Sequence, residues 1–163
     1  MNKIIYFAGG CFWGVSEYYS RLKGVISVCS GYANGTKENP TYEEVKSHQF
    51  HHVETVEIKY DDEIINLNAL LNHFLRFVDP YSHNQQGEDI GEQYRSGVYY
   101  LNDDDKTIII NYFDKYLRSD YKIEVKKLEN FSPAEDYHQD YLKKNPHGYC
   151  HVNLNLIKDN EKK

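Results

Sequence analysis

A two-layer α+β sandwich with a ferredoxin-like core, a mixed sheet and an irregular C-terminal tail is the fold predicted by this 163-residue sequence. Two observations lead there. Short apolar or alternating runs at Lys3–Ala8, Val25–Tyr32, Val53–Tyr60, Ser96–Leu101 and Lys122–Leu128 are separated by segments whose apolar residues recur at helical spacing. The length also suits one domain over residues 1–163, enough for a continuous core and too little for two.

In order, Lys3–Ala8 runs into Gly9-Gly10 and reads as a buried strand feeding a turn. Phe12, Val15, Tyr19 and Leu22 then mark a helix closed by Gly24, which puts Cys11 at the helix N-terminus. Val25–Tyr32 is a second strand, Tyr42–Ser47 a short helix after the Asn34-Gly35 and Asn39-Pro40 turns, and Val53–Tyr60 a third strand. Leu67, Leu70, Leu71, Phe74, Leu75 and Val78 form an amphipathic stripe stopped by Pro80. Tyr81–Gln93 has no period and reads as a long loop of the functional kind. Ser96–Leu101 is a strand, and Ile109, Tyr112, Phe113 and Tyr116 mark a helix. Lys122–Leu128 is expected to be the final strand. Ser132-Pro133-Ala134-Glu135 combines a capping box with proline at the first helical position, so a helix is expected from there to Lys143. Residues 144–163, broken by Asn145-Pro146-His147-Gly148, are expected to be irregular and to leave Cys150 on a segment placed by packing alone.

Composition narrows the function classes. A net charge of −6 provides no basic field for a polyanion, so nucleic acid and anionic membrane are not expected partners. No run approaches a membrane span, and the apolar N-terminal stretch is shorter than a signal-peptide core. The three cysteines, Cys11, Cys29 and Cys150, are too few and too scattered for a disulfide framework or a zinc site, which points to a reducing, cytoplasmic compartment. His48, His51, His52 and Glu54 lie close in sequence, but successive strand residues alternate faces, so no metal site and no cofactor is expected.

Two residues stand out chemically. Cys11 follows two glycines and opens a helix, where free amides and the helix dipole favour a thiolate and a lowered thiol pKa. The competing reading is a small buried hydrophobe. Glu54 falls by alternation on the same face as Val56, Ile58 and Tyr60, so it points to the core, where burial makes a carboxyl group hold its proton and act as a general acid. A strand-edge glutamate, or one paired with Arg95, is the competing reading. Cys29, inside an apolar strand, reads as structural.

Gly9-Gly10-Cys11-Phe12-Trp13-Gly14 resembles the signature of the A-type peptide methionine sulfoxide reductases. Gly31-Tyr32-Ala33, Asn39-Pro40-Thr41-Tyr42, His52-Val53-Glu54, the block Gln86–Ser96 and Ala134–Gln139 are similar to that family's blocks in the same order, from Lys3 to Cys150. The resemblance implies reduction of methionine-S-sulfoxide, free or in proteins, with thioredoxin as reductant and no cofactor. It implies Cys11 as nucleophile, Glu54 as the acid that protonates the sulfoxide oxygen, and Cys150, in Gly148-Tyr149-Cys150, as the thiol that resolves the oxidised nucleophile. Phe12 and Trp13 are implied to surround the substrate methyl group, Tyr42 and Tyr94 to hydrogen-bond the oxygen, and Asp89 to line the pocket. No cysteine follows Cys150, which implies one resolving step.

Several positions depart from the family pattern. Val78 replaces a histidine before Asp79-Pro80, Gln85 and Glu88 replace an arginine and an asparagine, and Ser47-His48-Gln49-Phe50-His51 replaces a more glycine-rich turn. Two rival classes make different demands. A cysteine hydrolase or transferase needs a histidine base and an oxyanion hole and has no use for Cys150. A module that only binds oxidised methionine keeps the aromatic residues and tolerates loss of the thiol.

Overall fold

The computed structural model describes residues 1–163. Its centre is a six-stranded sheet built from β1 (Asn2–Gly9), β2 (Val25–Ala33), β3 (Val53–Asp61), β6 (Ser96–Tyr100), β7 (Glu124–Lys127) and β8 (Phe131–Pro133). The strand order is β7-β6-β1-β3-β2-β8. All neighbours are antiparallel except β6 and β7, which makes the sheet mixed. Period-two alternation sorts the strand residues onto two faces. Ile5 and Phe7 of β1 join Val56, Ile58 and Tyr60 of β3 in the main 28-residue core, while Tyr6, Ala8, Val53 and Tyr99 pack on the opposite face.

The main core is closed by α1 (Phe12–Ser20), α3 (Leu67–Phe77) and α4 (Asp103–Tyr116). Helix α3 presents Leu67, Leu70, Leu71 and Phe74 inward and is capped by Asn66, whose side chain accepts from the Ala69 amide at 2.8 Å. The short α2 (Tyr42–Lys46) starts with a complete capping box between Thr41 and Glu44. It stands directly before the strand that carries Glu54.

Two expectations fail. Tyr81–Gln93 is not without structure, because β4 (Gln85–Gln86) and β5 (Asp89–Ile90) pair as a small hairpin before a 3-10 turn at Glu92–Tyr94. The buried Gln86 fastens it, bonding Asp79 through both amide atoms and Ser96 Oγ at 2.9 Å. The second failure is larger. Lys122–Leu128 is not the last strand, and the expected helix from Ser132 to Lys143 is absent. Phe131–Pro133 is β8, pairing with Gly31–Ala33, followed by a 3-10 turn at Asp136–His138 and a four-residue helix α5 (Tyr141–Lys144). The groups that should have capped the helix are committed elsewhere: Ser132 Oγ accepts from the Asn39 amide at 3.0 Å, and the Glu135 carboxylate accepts from Tyr32 Oη at 2.8 Å and the Tyr42 amide at 3.0 Å. Sheet extension at the β2 edge outweighs local propensity here.

The tail from Asn145 is irregular, as expected, yet it is tied down. Val152 and Ile157 enter the main core, and Arg76 of α3 makes a two-pronged pair with Glu161, both contacts at 2.8 Å.

Candidate active site

Cys11 is the N-cap of α1, reached through Gly10 with φ of +89°, and its residue is only 7% exposed. Glycine is required at position 10 twice over. The left-handed backbone disfavours a side chain, and a Cβ there would stand 2.8 Å from His151 Nε2.

The opening amides of a helix have no intrahelical acceptors, and this chain directs them at acid groups. The Cys11 amide faces Asp89, and the Phe12 amide donates to Glu54 Oε1 at 3.3 Å. Glu54, on β3, is thus bonded to the residue that follows Cys11, and it is 1% exposed. It does not pair with Arg95, which instead binds Glu124 at 2.9 Å. Its second oxygen accepts from Gln93 Nε2 at 3.1 Å. Burial pushes the Glu54 carboxyl up to about 8, and its two hydrogen-bond donors oppose the shift without cancelling it. A neutral carboxylic acid near pH 7 is therefore the resting state, as the face alternation of β3 predicted.

The thiol behaves differently from expectation. Burial holds the Cys11 thiol well above its ordinary pKa, with Glu54, once ionised, and Asp89 adding to it, and the Trp13 amide pulls the other way too weakly to offset them. The helix terminus does not produce a resting thiolate, because desolvation of the buried sulfur outweighs it.

Tyr42, on the first turn of α2, and Tyr94, at the end of the 3-10 turn, approach each other, and both sit in the field of Glu54 and Cys11. Burial first, then Glu54, raises both phenols, so each keeps its O–H as a donor. Asp89 is half-buried, accepts from Tyr149 Oη at 3.2 Å and faces the Cys11 amide. Phe12 and Trp13 stand within a larger cluster of rings. Phe12 is buried, with its ring centroid 5.7 Å from that of Tyr32 and 5.2 Å from that of His138, while Trp13 stacks on Tyr141 at 3.7 Å. Tyr42 closes the same cluster, 4.9 Å from His138.

Cys150 lies over Gly14, one helical turn along α1 from Cys11 and on the same face. A Cβ at Gly14 would stand 3.1 Å from the Cys150 sulfur. Cys11 and Cys150 are both free thiols, and Cys150 Sγ donates to the Val152 carbonyl at 3.1 Å. Cys29 is on β2, away from this cluster, beside Glu57 of β3. His51 and His52 turn to Glu92 and the Lys37 carbonyl respectively, and Val78 packs in the core near Gly9.

Sequence reasoning missed three contributors. Gln93 holds the acid. His138 accepts from Trp13 Nε1 at 3.0 Å and so carries its proton on Nε2. His151 donates from Nε2 to the Gly9 carbonyl at 2.7 Å, which buttresses the Gly9-Gly10 turn. Gln93 lies in the Gln86–Ser96 block and His138 in the Ala134–Gln139 block already singled out, and that placement was the available signal. His151 adjoins Cys150 but lies beyond those blocks.

A family model described as peptide methionine sulfoxide reductase matches residues 3–163. Proteins named peptide methionine sulfoxide reductase MsrA are similar at high identity. The one from Ureaplasma urealyticum is 50% identical over 161 residues, covering 97% of this chain and 98% of its own, and the one from Clostridium botulinum Loch Maree is 52% identical, covering 93% and 99%. Among solved structures, reduced Mxr1 from Saccharomyces cerevisiae matches with a TM-score of 0.84 and 32% identity, over 94% of this chain and 92% of its own. Mxr1 has also been solved in complex with Trx2. A thiol, a protonated carboxyl group and a second thiol gathered on the first turn of one helix thus accompany a full-length match, and the chain belongs to the peptide methionine sulfoxide reductase family.

Proposed function

We propose that this protein, acting as a single domain, reduces methionine-S-sulfoxide, free or in proteins, with Cys11 as nucleophile, Glu54 as proton donor and Cys150 as resolving thiol. The observation that carries the reading is the first turn of α1, where the Phe12 amide is bonded to a carboxyl group that stays protonated near pH 7, next to Cys11 and one turn from Cys150.

The sulfur of a sulfoxide accepts a nucleophile only as its oxygen is neutralised. Glu54 gives its proton to that oxygen, with Tyr42 and Tyr94 as additional donors, and then takes the proton of Cys11 as the Cys11 sulfur attacks. The proton ledger closes: the thiol S–H and the sulfoxide become a sulfenic acid on Cys11 and a thioether, with Glu54 restored. A resting thiol is consistent with this scheme, because the thiol proton is the one finally consumed. Cys150 then attacks the sulfenic sulfur, an S–S bond forms and water leaves. Reduction of the disulfide by a dithiol protein returns both thiols and oxidises the partner. Thioredoxin is the proposed reductant, in keeping with the Mxr1 complex. Phe12, Trp13 and the ring cluster around His138 supply an apolar wall for the methyl group, and Asp89 holds the Cys11 backbone in place. No helix is long and apolar enough to cross a membrane, and we place the protein in the cytoplasm.

The test is to incubate the protein with racemic methionine sulfoxide and dithiothreitol and resolve the epimers that remain. Loss of the S form alone is expected. Consumption of the R form, or turnover by Cys11→Ser, would defeat the assignment.

A further inference from the structure

The turn between α2 and β3 carries three histidines, of which His48 and His51 both have φ of +62°. This left-handed backbone is strained for a residue with a Cβ, and glycine adopts it most readily. Both side chains reach across to one target, the 3-10 turn at Glu92–Tyr94. His48 Nε2 lies 2.9 Å from Gln93 Oε1, and His51 Nδ1 lies 2.8 Å from Glu92 Oε1. Arg95 adds a third tie, donating to the His51 carbonyl at 3.1 Å and to the Glu92 carbonyl at 2.9 Å. Gly91, with φ of +141°, leaves the space that the His48 ring occupies, since a Cβ there would stand 3.2 Å from the ring.

Gln93 passes this contact inward. It is 3% exposed, and its Nε2 donates to Glu54 Oε2 at 3.1 Å. A side-chain amide has one accepting and one donating end. With its oxygen held by a ring N–H of His48, only its NH₂ group can face Glu54. The geometry points to His48 as a positioning residue for the sulfoxide reaction, one that fixes the amide of Gln93 so that it donates to the catalytic carboxyl group of Glu54. The chain runs from an exposed histidine through a buried amide to a buried acid.

The inference rests on Glu54 being the acid of the reaction. The other groups facing Glu54 are the Phe12 amide and Cys11 from α1, Tyr42 from α2, Tyr32 from β2, Asp89 from β5 and Tyr94 from the 3-10 turn. All of them are retained when His48 alone is changed. Once the amide is free to rotate, its oxygen can accept from protonated Glu54. That stabilises the neutral acid, makes it a poorer donor, and moves its titration upward.

The experiment uses His48→Gly and His48→Asn, which keep the left-handed turn accessible while removing the contact to Gln93. Steady-state kcat and KM for methionine-S-sulfoxide with dithiothreitol are measured from pH 6 to 10, with Tm alongside. The expected result for both variants is a fall in kcat of about threefold or more at neutral pH, with KM changed by less than about twofold. The alkaline limb of the kcat profile should rise by about half a pH unit or more, while the Tm of His48→Gly stays level or increases. A wild-type profile in the variants would overturn the inference while leaving the assignment of Glu54 intact. So would a lowered Tm with an unshifted profile, which would make His48 structural only. Failure of the underlying reading has its own signature: wild-type protein inactive on the S epimer, or Glu54→Gln as active as wild type.

Discussion

The two thiols of the site live in opposite settings. Cys11 is buried at the junction of β1 and α1, with Glu54 on the central strand β3 beside it and their hydrogen-bond partners on regular elements or the fastened hairpin. Cys150 is half-buried on a segment without regular structure, flanked by two ties, Tyr149 to Asp89 and His151 to the Gly9 carbonyl, and anchored further out at both ends. On one side, Tyr141 stacks on Trp13 and Lys143 binds Glu17 at 2.7 Å; on the other, Val152 and Ile157 reach the core and Glu161 binds Arg76. The contrast matches two chemical demands. Oxygen transfer needs a fixed geometry around a proton donor, whereas disulfide formation needs a second sulfur that can travel and then be exposed to a reductant.

The sharpest way to break this division is Cys11→Ser, expected to abolish methionine formation entirely in a single-turnover assay while leaving Tm close to wild type. Glu54→Gln comes next, with kcat lowered about 100- to 10,000-fold and KM little changed; a rate within threefold of wild type would remove Glu54 from the chemistry. The same variant has a stability signature. The folded pKa of Glu54, about 8, lies above that of an unfolded glutamate. The folded protein therefore holds an additional proton at intermediate pH, and stability falls as pH rises toward and through 8. Glu54→Gln should escape that loss and gain on the wild type by on the order of a few kcal/mol at pH 9, read by denaturant titration at several pH values. Wild-type activity should also decline above pH 8, as the acid becomes ionised.

On the irregular segment, Cys150→Ser should still yield about one equivalent of methionine per protein but lose thioredoxin-supported cycling, and equal steady-state rates with thioredoxin would refute its role. Gly14→Ala is a smaller perturbation. Its methyl group would meet the Cys150 sulfur at 3.1 Å and Val152 Cγ2 at 3.0 Å, so disulfide formation should slow severalfold while the methionine burst persists. Smallest is Arg76→Met, removing a tail anchor that is about one-fifth exposed on each partner. A loss of about 1 kcal/mol in stability is expected, with slower recycling and an unchanged burst. Arg76 draws the Glu161 carboxyl down to about 2, so this contribution should persist down to acid pH and fade as pH falls toward that value.

Legibility from sequence followed the same boundary. Glu54 and the main core could be read because alternation in β3 and the stripe of α3 express burial directly in residue order. The position of Cys11 at a helix start was equally plain, but its protonation was not, since that depends first on how deeply distant segments bury the sulfur. The region after Lys127 misled because its local signals were sound. Ser132 and Glu135 had the spacing of a capping box, and only the proximity of Asn39, Tyr32 and Tyr42 shows that both were already engaged. His48 was legible only as an oddity in a turn, and its meaning required the position of Gln93.

The protonated state of Cys11 bears on survival as much as on reactivity. Hydrogen peroxide and alkylating reagents attack thiolates far faster than thiols, so a sulfur that keeps its proton at rest, and in the proposed reaction yields it to Glu54 only as a sulfoxide is attacked, reacts slowly with the oxidants that create its work. A repair enzyme of this kind can wait, unmodified, through the conditions in which it is needed.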